Sequence, residues 1–215
     1  MRQQVLVTGV AGFIGSHLAD KLLDLGWEVV GFDNFSEGDR VNLTRAMRSP
    51  RFRLVEGDLL NSEDVELALA DVELVFHLAA DPEVRVGAQD PKIHFEQNLR
   101  ATFNLLESVR KRHDCMKLVF TSTSTVYGEP SVIPTPEDYG PLLPISTYGA
   151  TKLACEALVT SYTQLLPLRA VIFRLANVVG SRMRHGVVYD FVMKLRKNPR
   201  ALEVLGDGKQ MKSYI

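Results

Sequence analysis

Three features of the sequence predict a doubly wound α/β fold, a parallel sheet with helices on both faces. Apolar runs of strand length alternate with segments of helical periodicity, and the runs are continuously apolar, as strands buried on both faces are. The first run, Val5-Leu6-Val7-Thr8, breaks into a turn with glycines at 9, 12 and 15 and passes straight into helical sequence. The second run ends in a carboxylate, Asp33, 18 residues after the last of those glycines.

The elements follow in order. Gln4 to Thr8 is the first strand. The helix after the glycine turn runs to about Leu25, where Gly26 stops it, and Glu28 to Asp33 is the second strand. A polar loop, Asn34 to Asp39, leads to a short helix. Phe52 to Glu56 is the third strand, closed by Gly57-Asp58-Leu59. A helix capped by Ser62, with Glu63 and Asp64 in its first turn, runs to about Ala70. Leu74 to Ala80 reads as a buried strand, Ile93 to Lys111 as a long helix, and Lys117 to Ser122 as a strand. Tyr148 to about Leu165 is a further helix and Arg169 to Leu175 a further strand. Five of the ten prolines fall between Thr125 and Ser146, which makes that stretch an extended, semi-rigid loop. Apolar residues at helical spacing, Leu99, Phe103 and Leu106 on one long helix and Leu153, Ala157 and Leu158 on the other, are assigned mainly to the core.

The glycine turn is built for a dinucleotide. Gly9 lets the chain leave the strand, Gly12 lets the backbone approach a pyrophosphate, and Gly15 lets the helix pack close on the sheet. The amides that open the helix, at Phe13 and Ile14, then face the phosphates. Asp33 is placed to accept hydrogen bonds from an adenosine ribose. Its charge repels a 2′-phosphate and no arginine follows it directly, so NAD is favoured over NADP. Ligands in such sheets lie beyond the carboxyl ends of the strands, so residues 9–15, 33–38, 58–59, 78–80, 121–125 and 176–177 are the ones to inspect.

Composition narrows the partners. A chain of 215 residues with 46% hydrophobic content and net charge −1 buries a full core and has no basic excess, which disfavours nucleic acid and anionic membranes. No apolar stretch approaches the ~20 residues that span a bilayer, and a cytoplasmic location is expected. Cys115 and Cys155 have no paired spacing and are read as free thiols. His17, His77, His94, His113 and His185 show no metal-binding spacing, so no metal is expected, and His77 inside an apolar strand reads as a hydrogen-bonded core histidine.

Tyr148 and Lys152 stand at i and i+4 on one helix face, just after the proline-rich loop, while Thr121 to Thr125 offer five hydroxyls at a strand end. A phenol titrates near ~10 and is a poor base at neutral pH unless its anion is stabilised. An ammonium ~6 Å away at an effective dielectric of ~20 contributes about 3 kcal/mol, roughly two pKa units. An oxidised nicotinamide adds a second positive charge, and a strand-end hydroxyl shares the proton with a substrate alcohol. This is chemistry suited to removing a hydride from a secondary alcohol.

These residues resemble the extended short-chain dehydrogenase/reductase family, in its NAD-dependent epimerase/dehydratase group, and most of all the UDP-glucose 4-epimerase group of nucleotide-sugar epimerases. The likeness runs through 8–15, 33–38, Gly57-Asp58-Leu59, His77-Leu78-Ala79-Ala80, Asn98, Val126-Tyr127-Gly128, Tyr148 with Lys152, Arg174, Asn177 and Gly206 to Gln210. It implies that Thr123 takes the catalytic Ser/Thr place, Tyr148 is the base, and Lys152 is its electrostatic partner and a ribose contact. It further implies cofactor contacts at Asn34, Ser36, Gly38, Asp58, Leu59, Leu78, Ala79, Ala80, Asn98 and Ala176. Asn177, Val187, Gln210 and Lys212 would face the nucleotide-diphosphate part of a UDP-sugar.

The resemblance implies a cycle in which Tyr148 deprotonates the sugar 4-hydroxyl as hydride leaves C4, a 4-keto sugar turns over, and hydride returns to its other face. Related dehydratases and decarboxylases place acids at the two or three positions directly after the catalytic Ser/Thr. Here Ser124 and Thr125 follow Thr123, which favours simple epimerisation over dehydration or reduction, while intact Thr123, Tyr148 and Lys152 argue against a non-catalytic NAD-binding module. Ala176 replaces a more usual aromatic residue, and Lys212 replaces an arginine without its bidentate fork. The resemblance also implies a homodimer through the outer faces of helices 93–111 and 148–165. Residues 1–175 are read as the NAD-binding domain and 176–215 as the start of a nucleotide-sugar-binding lobe, with a helix from Val188 to Lys197. Ser213 to Ile215 read as mid-strand, so a longer chain is expected.

Overall fold

The computed structural model describes residues 4–112, 116–204, 206–208 and 213–215. Among these, six strands form one sheet: β1 Gln4–Thr8, β2 Glu28–Asp33, β3 Phe52–Glu56, β4 Leu74–His77, β5 Lys117–Thr123 and β6 Arg169–Leu175. Their order is β3-β2-β1-β4-β5-β6, with β1 parallel to both β2 and β4. The chain crosses from one half of the sheet to the other between β1 and β4, which opens a crevice beyond their carboxyl ends.

Burial on both faces explains the unbroken apolar runs. Leu6 joins a cluster with Val30, Phe32, Leu69, Leu105, Phe120 and Val159, whereas Val5 and Val7 point the other way into a cluster with Val10, Ala19, Leu22 and Leu43. Helices α1 Phe13–Asp24, α2 Ser62–Leu69, α3 Val86–Gln89, α4 Pro91–His94, α5 Ala101–Lys111 and α6 Thr147–Leu165 connect the strands. The chain divides into two compact units, one ending at Arg174 and the other beginning at Leu175. The second contains α7 Val187–Lys197, which has no buried residue, and an isolated parallel bridge between Asn177 and Tyr214.

Several expectations are corrected. The long helix expected from Ile93 is three consecutive segments, α4, a π turn over Phe95–Arg100 and α5. The short helix after Asp39 is two 3₁₀ turns, Arg40–Leu43 and Ala46–Arg48. Asn61, not Ser62, caps α2, because its side chain accepts from Glu63 N at 3.1 Å. β4 stops at His77, so Leu78 to Ala80 lie just past the strand. The strand expected at 213–215 is limited to the Asn177–Tyr214 bridge, with Ile215 N donating to Asn177 O at 2.9 Å.

The apolar pattern on the two long helices is core only in part: Leu106 belongs to the main cluster, and Leu99 and Leu158 pack against it. Leu106 is buried, but Phe103 is 43% exposed, Ala157 is exposed, and Leu99, Leu153 and Leu158 are half-buried. The buried face of α6 is instead Lys152, Cys155, Glu156, Val159 and Tyr162. Among the described residues no helix is long and apolar enough to cross a membrane.

Candidate active site

The glycine turn between β1 and α1 shows why three glycines stand there. Gly9 has φ +68°, and a Cβ on it would lie 2.8 Å from Ala79 N. A Cβ on Gly15 would lie 2.1 Å from Gly9 O, so only glycine lets α1 cross the turn this closely. Gly12 differs. It is extended (φ −73°, ψ 177°), and an added Cβ would meet only Gly9 O, at 3.2 Å. Protein packing therefore demands glycine least at the position where α1 begins. That helix opens with no side-chain cap and no acid in its first turn. Its free amides and dipole suit a pyrophosphate, so the residues fit a dinucleotide.

Asp33, buried at the end of β2, ties this turn to the neighbouring loop. Its two oxygens accept from Ala11 N and Phe35 N, each at 2.8 Å. Burial raises its pKa, and those two amides act in the opposite direction. Each oxygen keeps a second lone pair for a ribose hydroxyl. Asn34 Nδ2 donates to Asp58 Oδ2 at 3.2 Å, Asn34 Oδ1 accepts from Ser36 N, and a Cβ on Gly38 would strike Ala11. Asp58 Oδ1 accepts from Leu60 N at 2.8 Å, and Leu59 is buried. The residues expected at the adenosine end thus share one hydrogen-bonded rim.

His77 joins this rim to the chemical end. Thr102 Oγ1 donates to Asn98 O at 2.7 Å, so it accepts from His77 Nε2–H at 3.0 Å. His77 Nδ1 is then left to accept from Thr8 Oγ1 at 2.8 Å. Thr8 Oγ1 in turn accepts from Leu78 N and Ala79 N, fixing the chain past β4. Burial, helped by the Lys152 charge, lowers the pKa of this neutral histidine to about 3. The core reading of His77 holds. Asn98 spends its side chain on Asp81, accepting from Asp81 N at 2.8 Å and donating to Asp81 O at 3.3 Å. Ala80 follows Ala79 on the same half-buried segment.

Thr123, Tyr148 and Lys152 come from β5 and α6. Ser146 caps α6 by accepting from Gly149 N at 3.1 Å, which sets Tyr148 in the first turn. Thr123 Oγ1 accepts from Thr125 N at 3.1 Å and Thr125 Oγ1 at 3.2 Å, so its own proton is left to be donated elsewhere, and Thr123 acts to lower the pKa of Tyr148. The expected drop in the phenol pKa is not found. Burial pushes Tyr148 up to about 12, Thr123 opposes that rise, and the charges of Asp81 and Cys155 add to it. Lys152 is 3% exposed, with its Nζ 4.3 Å from the centre of the Phe120 ring. Burial lowers Lys152 to about 8, while Cys155 and Glu156 pull it back up. Desolvation, which spacing along a helix does not reveal, is the largest influence on the phenol.

Of the remaining expected residues, Ala176, Asn177 and Val187 lie in the second unit. Ala176 is half-buried, Asn177 Nδ2 donates to Ser213 O at 3.3 Å, and Val187 opens α7. Gln210, Lys212, His113 and Cys115 lie outside the described residues. Cys155 is a buried free thiol.

Sequence reasoning gave no role to four residues of the chemical end, of which Arg174 entered only as part of the resemblance. Asp81 raises the pKa of Tyr148, His94 packs edge-on to its ring with centroids 5.7 Å apart, and buried Glu156 pairs with half-buried Arg174. Only Glu156 left a signal, standing four residues beyond Lys152 on the same helix face.

The model of the NAD dependent epimerase/dehydratase family matches residues 5–215. The UDP-glucose 4-epimerase of Mycolicibacterium smegmatis is 38% identical over 219 residues, which cover 99% of this chain and 69% of that protein. UDP-glucuronic acid decarboxylase 1 of Arabidopsis thaliana is 37% identical, over 99% of this chain and 49% of that protein. A crystal structure of a UDP-galactose 4-epimerase superposes with a TM-score of 0.87 at 48% identity, over 99% of this chain and 67% of that one.

Proposed function

The chain belongs to the NAD dependent epimerase/dehydratase family, and from that membership we propose that it inverts C4 of a UDP-hexose of the glucose/galactose type through a transient 4-keto sugar. The observation that carries this reading is the meeting of the end of β5, which carries Thr123, with the first turn of α6, which carries Tyr148, packed so closely that a Cβ on Gly149 would lie 3.0 Å from Thr125 O. Bound NAD supplies a hydride acceptor and then a hydride donor. Tyr148, as phenolate once the positive charges of Lys152 and bound NAD offset its burial, takes and returns the proton of the 4-hydroxyl, and Thr123 holds the oxygen that bears it. Lys152 supplies positive charge from within the core, where a low dielectric strengthens it. Elimination or decarboxylation is disfavoured by the 3₁₀ turn Ser124–Tyr127, which carries no carboxylate where related enzymes use acids.

Incubation with NAD and UDP-galactose is expected to yield UDP-glucose. A 4-keto-6-deoxy product, or carbon dioxide released from UDP-glucuronic acid, selects the second reading, which the similarity to a decarboxylase keeps in play. A folded protein that retains NAD and turns over none of these sugars contradicts the reading.

The same reading includes a homodimer and a cytoplasmic location. Phe95, Leu99, Arg100, Phe103, Ala154, Ala157 and Leu158 line an open apolar depression of about 510 Å³ on the outer side of the π turn, α5 and α6. A second copy laying the same two helices against it would cover Phe103 and Ala157. Phe103→Glu is expected to convert the species seen by light scattering to monomer. The free thiol of Cys155 suits a reducing compartment.

A further inference from the structure

Tyr148, Lys152 and Glu156 recur every fourth residue on α6, and the mechanism above leaves Glu156 unused. Glu156 is 6% exposed and meets Arg174 from β6 through a two-pronged contact, with Arg174 Nη2 2.8 Å and Nε 3.1 Å from Glu156 Oε2. Ser122, the residue before Thr123, donates its hydroxyl to Glu156 Oε1. The far side of the guanidinium reaches two further segments. Arg174 Nη1 donates to Tyr127 Oη at 3.2 Å and to Glu137 O at 3.0 Å, and the guanidinium carbon lies 5.0 Å from the Tyr127 ring centre. One arginine thus binds together α6, the turn Ser124–Tyr127 and the proline-rich loop.

The loop is pinned again at Gly128, where φ is +67° and a Cβ would lie 2.0 Å from Leu143 O. Thr123 stands between Ser122 and the turn, so its hydroxyl has little freedom while both are fastened. Without that fastening, the Thr123 hydroxyl would have to find the Tyr148 phenol from a mobile strand end.

We propose that Arg174, acting through Glu156 and Tyr127, is a positioning residue that keeps the Thr123 hydroxyl beside the Tyr148 phenol. Lysine cannot replace it, because a point charge lacks the planar fork that serves Glu156 on one side and Tyr127 on the other. The proposal takes Tyr148 as the base and so rests on the reading above, but the geometric claim can be tested without turnover.

The test uses full-length protein carrying ¹³Cζ-tyrosine, with the Tyr148 resonance assigned by its loss in Tyr148→Phe. Thr123→Val calibrates the shift produced when that hydroxyl is gone. Arg174→Lys, Arg174→Met and Glu156→Gln are expected to move the resonance most of the way to the Thr123→Val position. Tyr127→Phe, which keeps the ring and drops one bond, is expected to move it part of the way and serves where the others fail to fold. Turnover of UDP-galactose is expected to fall about 10- to 100-fold in kcat with KM nearly unchanged, since a misplaced reacting group costs rate more than binding. A resonance that stays at the wild-type position in folded variants overturns the proposal. A resonance that moves while kcat holds overturns it too. If the resonance moves but the parent protein turns over no UDP-sugar, the positioning stands and the epimerase reading fails.

Discussion

The two ends of the crevice are made of different material. At the adenosine end the chain offers mostly backbone: the uncapped amides of α1, a turn whose glycines admit close approach, and Asp33 held by two amides. At the chemical end it offers side chains whose properties come from what surrounds them, a phenol raised to about 12 and an ammonium lowered to about 8. A backbone site is specified by which residues are absent, since each missing Cβ leaves room. The electrostatic site is specified by neighbours brought from β5, the segment past β4 and α6. Damage at the two ends should therefore look different.

The largest effect is expected from Tyr148→Phe. Removing a proton-transfer group costs about 10²- to 10⁴-fold in rate, and the ring still packs against His94. Turnover should collapse while bound NAD, measured by chromatography of the denatured protein, stays at the parental level. Loss of both together would show that the ends are not separable.

Gly12→Ala should give the opposite pattern. Its backbone angles are open to alanine and only Gly9 O lies near, so the thermal midpoint should hold while NAD is lost. Gly15→Ala supplies the contrast, because its Cβ would sit 2.1 Å from Gly9 O. Overpacking of that kind costs about 1–3 kcal/mol, so stability and NAD binding should fall together.

The same division explains what the sequence made legible. The alternation of strands and helices, the glycine turn and Asp33 follow from apolar runs and from glycine spacing, both local properties of the chain. The pairing of Thr123 with Tyr148 follows from the resemblance. The sign of the Tyr148 shift was not legible, because it depends on burial and on Asp81, which lies 67 positions away. Nor was the π turn. It lets the Asn98 carbonyl take the Thr102 hydroxyl and the Cys155 thiol, and no periodicity marks it. The outward-facing Phe103 and Ala157 were misassigned because an apolar stripe looks alike whether it meets a core or a second copy.

His77 links the two ends and carries its own signature in pH. Its folded-state value is about 3 against an ordinary 6.5, so the unfolded chain binds the proton first as pH falls. The stabilisation is complete above 6.5 and is lost progressively between 6.5 and about 3. Within that window the slope is about 1.4 kcal/mol per pH unit for one proton. Denaturant titrations from pH 7 to pH 4 should show it, and His77→Gln should flatten it. An equally steep slope in the variant would assign the acid sensitivity to another group.

The smallest effect is expected where neither end is touched directly. Asn61 caps α2 from an exposed position, and replacing such a cap by alanine costs about 1 kcal/mol. For a chain of this size that is a fall of about 2–4 °C in the thermal midpoint. The helix it starts also holds Asp58 in place, since Asp64 Oδ2 accepts from Asp58 N at 3.0 Å. Fraying of the first turn should therefore reach the adenosine rim before anything else, as a slight loss of NAD affinity at unchanged kcat. If kcat falls instead while NAD binding holds, the rim and the phenol are coupled through the core, and His77, bonded to both Thr8 and Thr102, is the connection to test next.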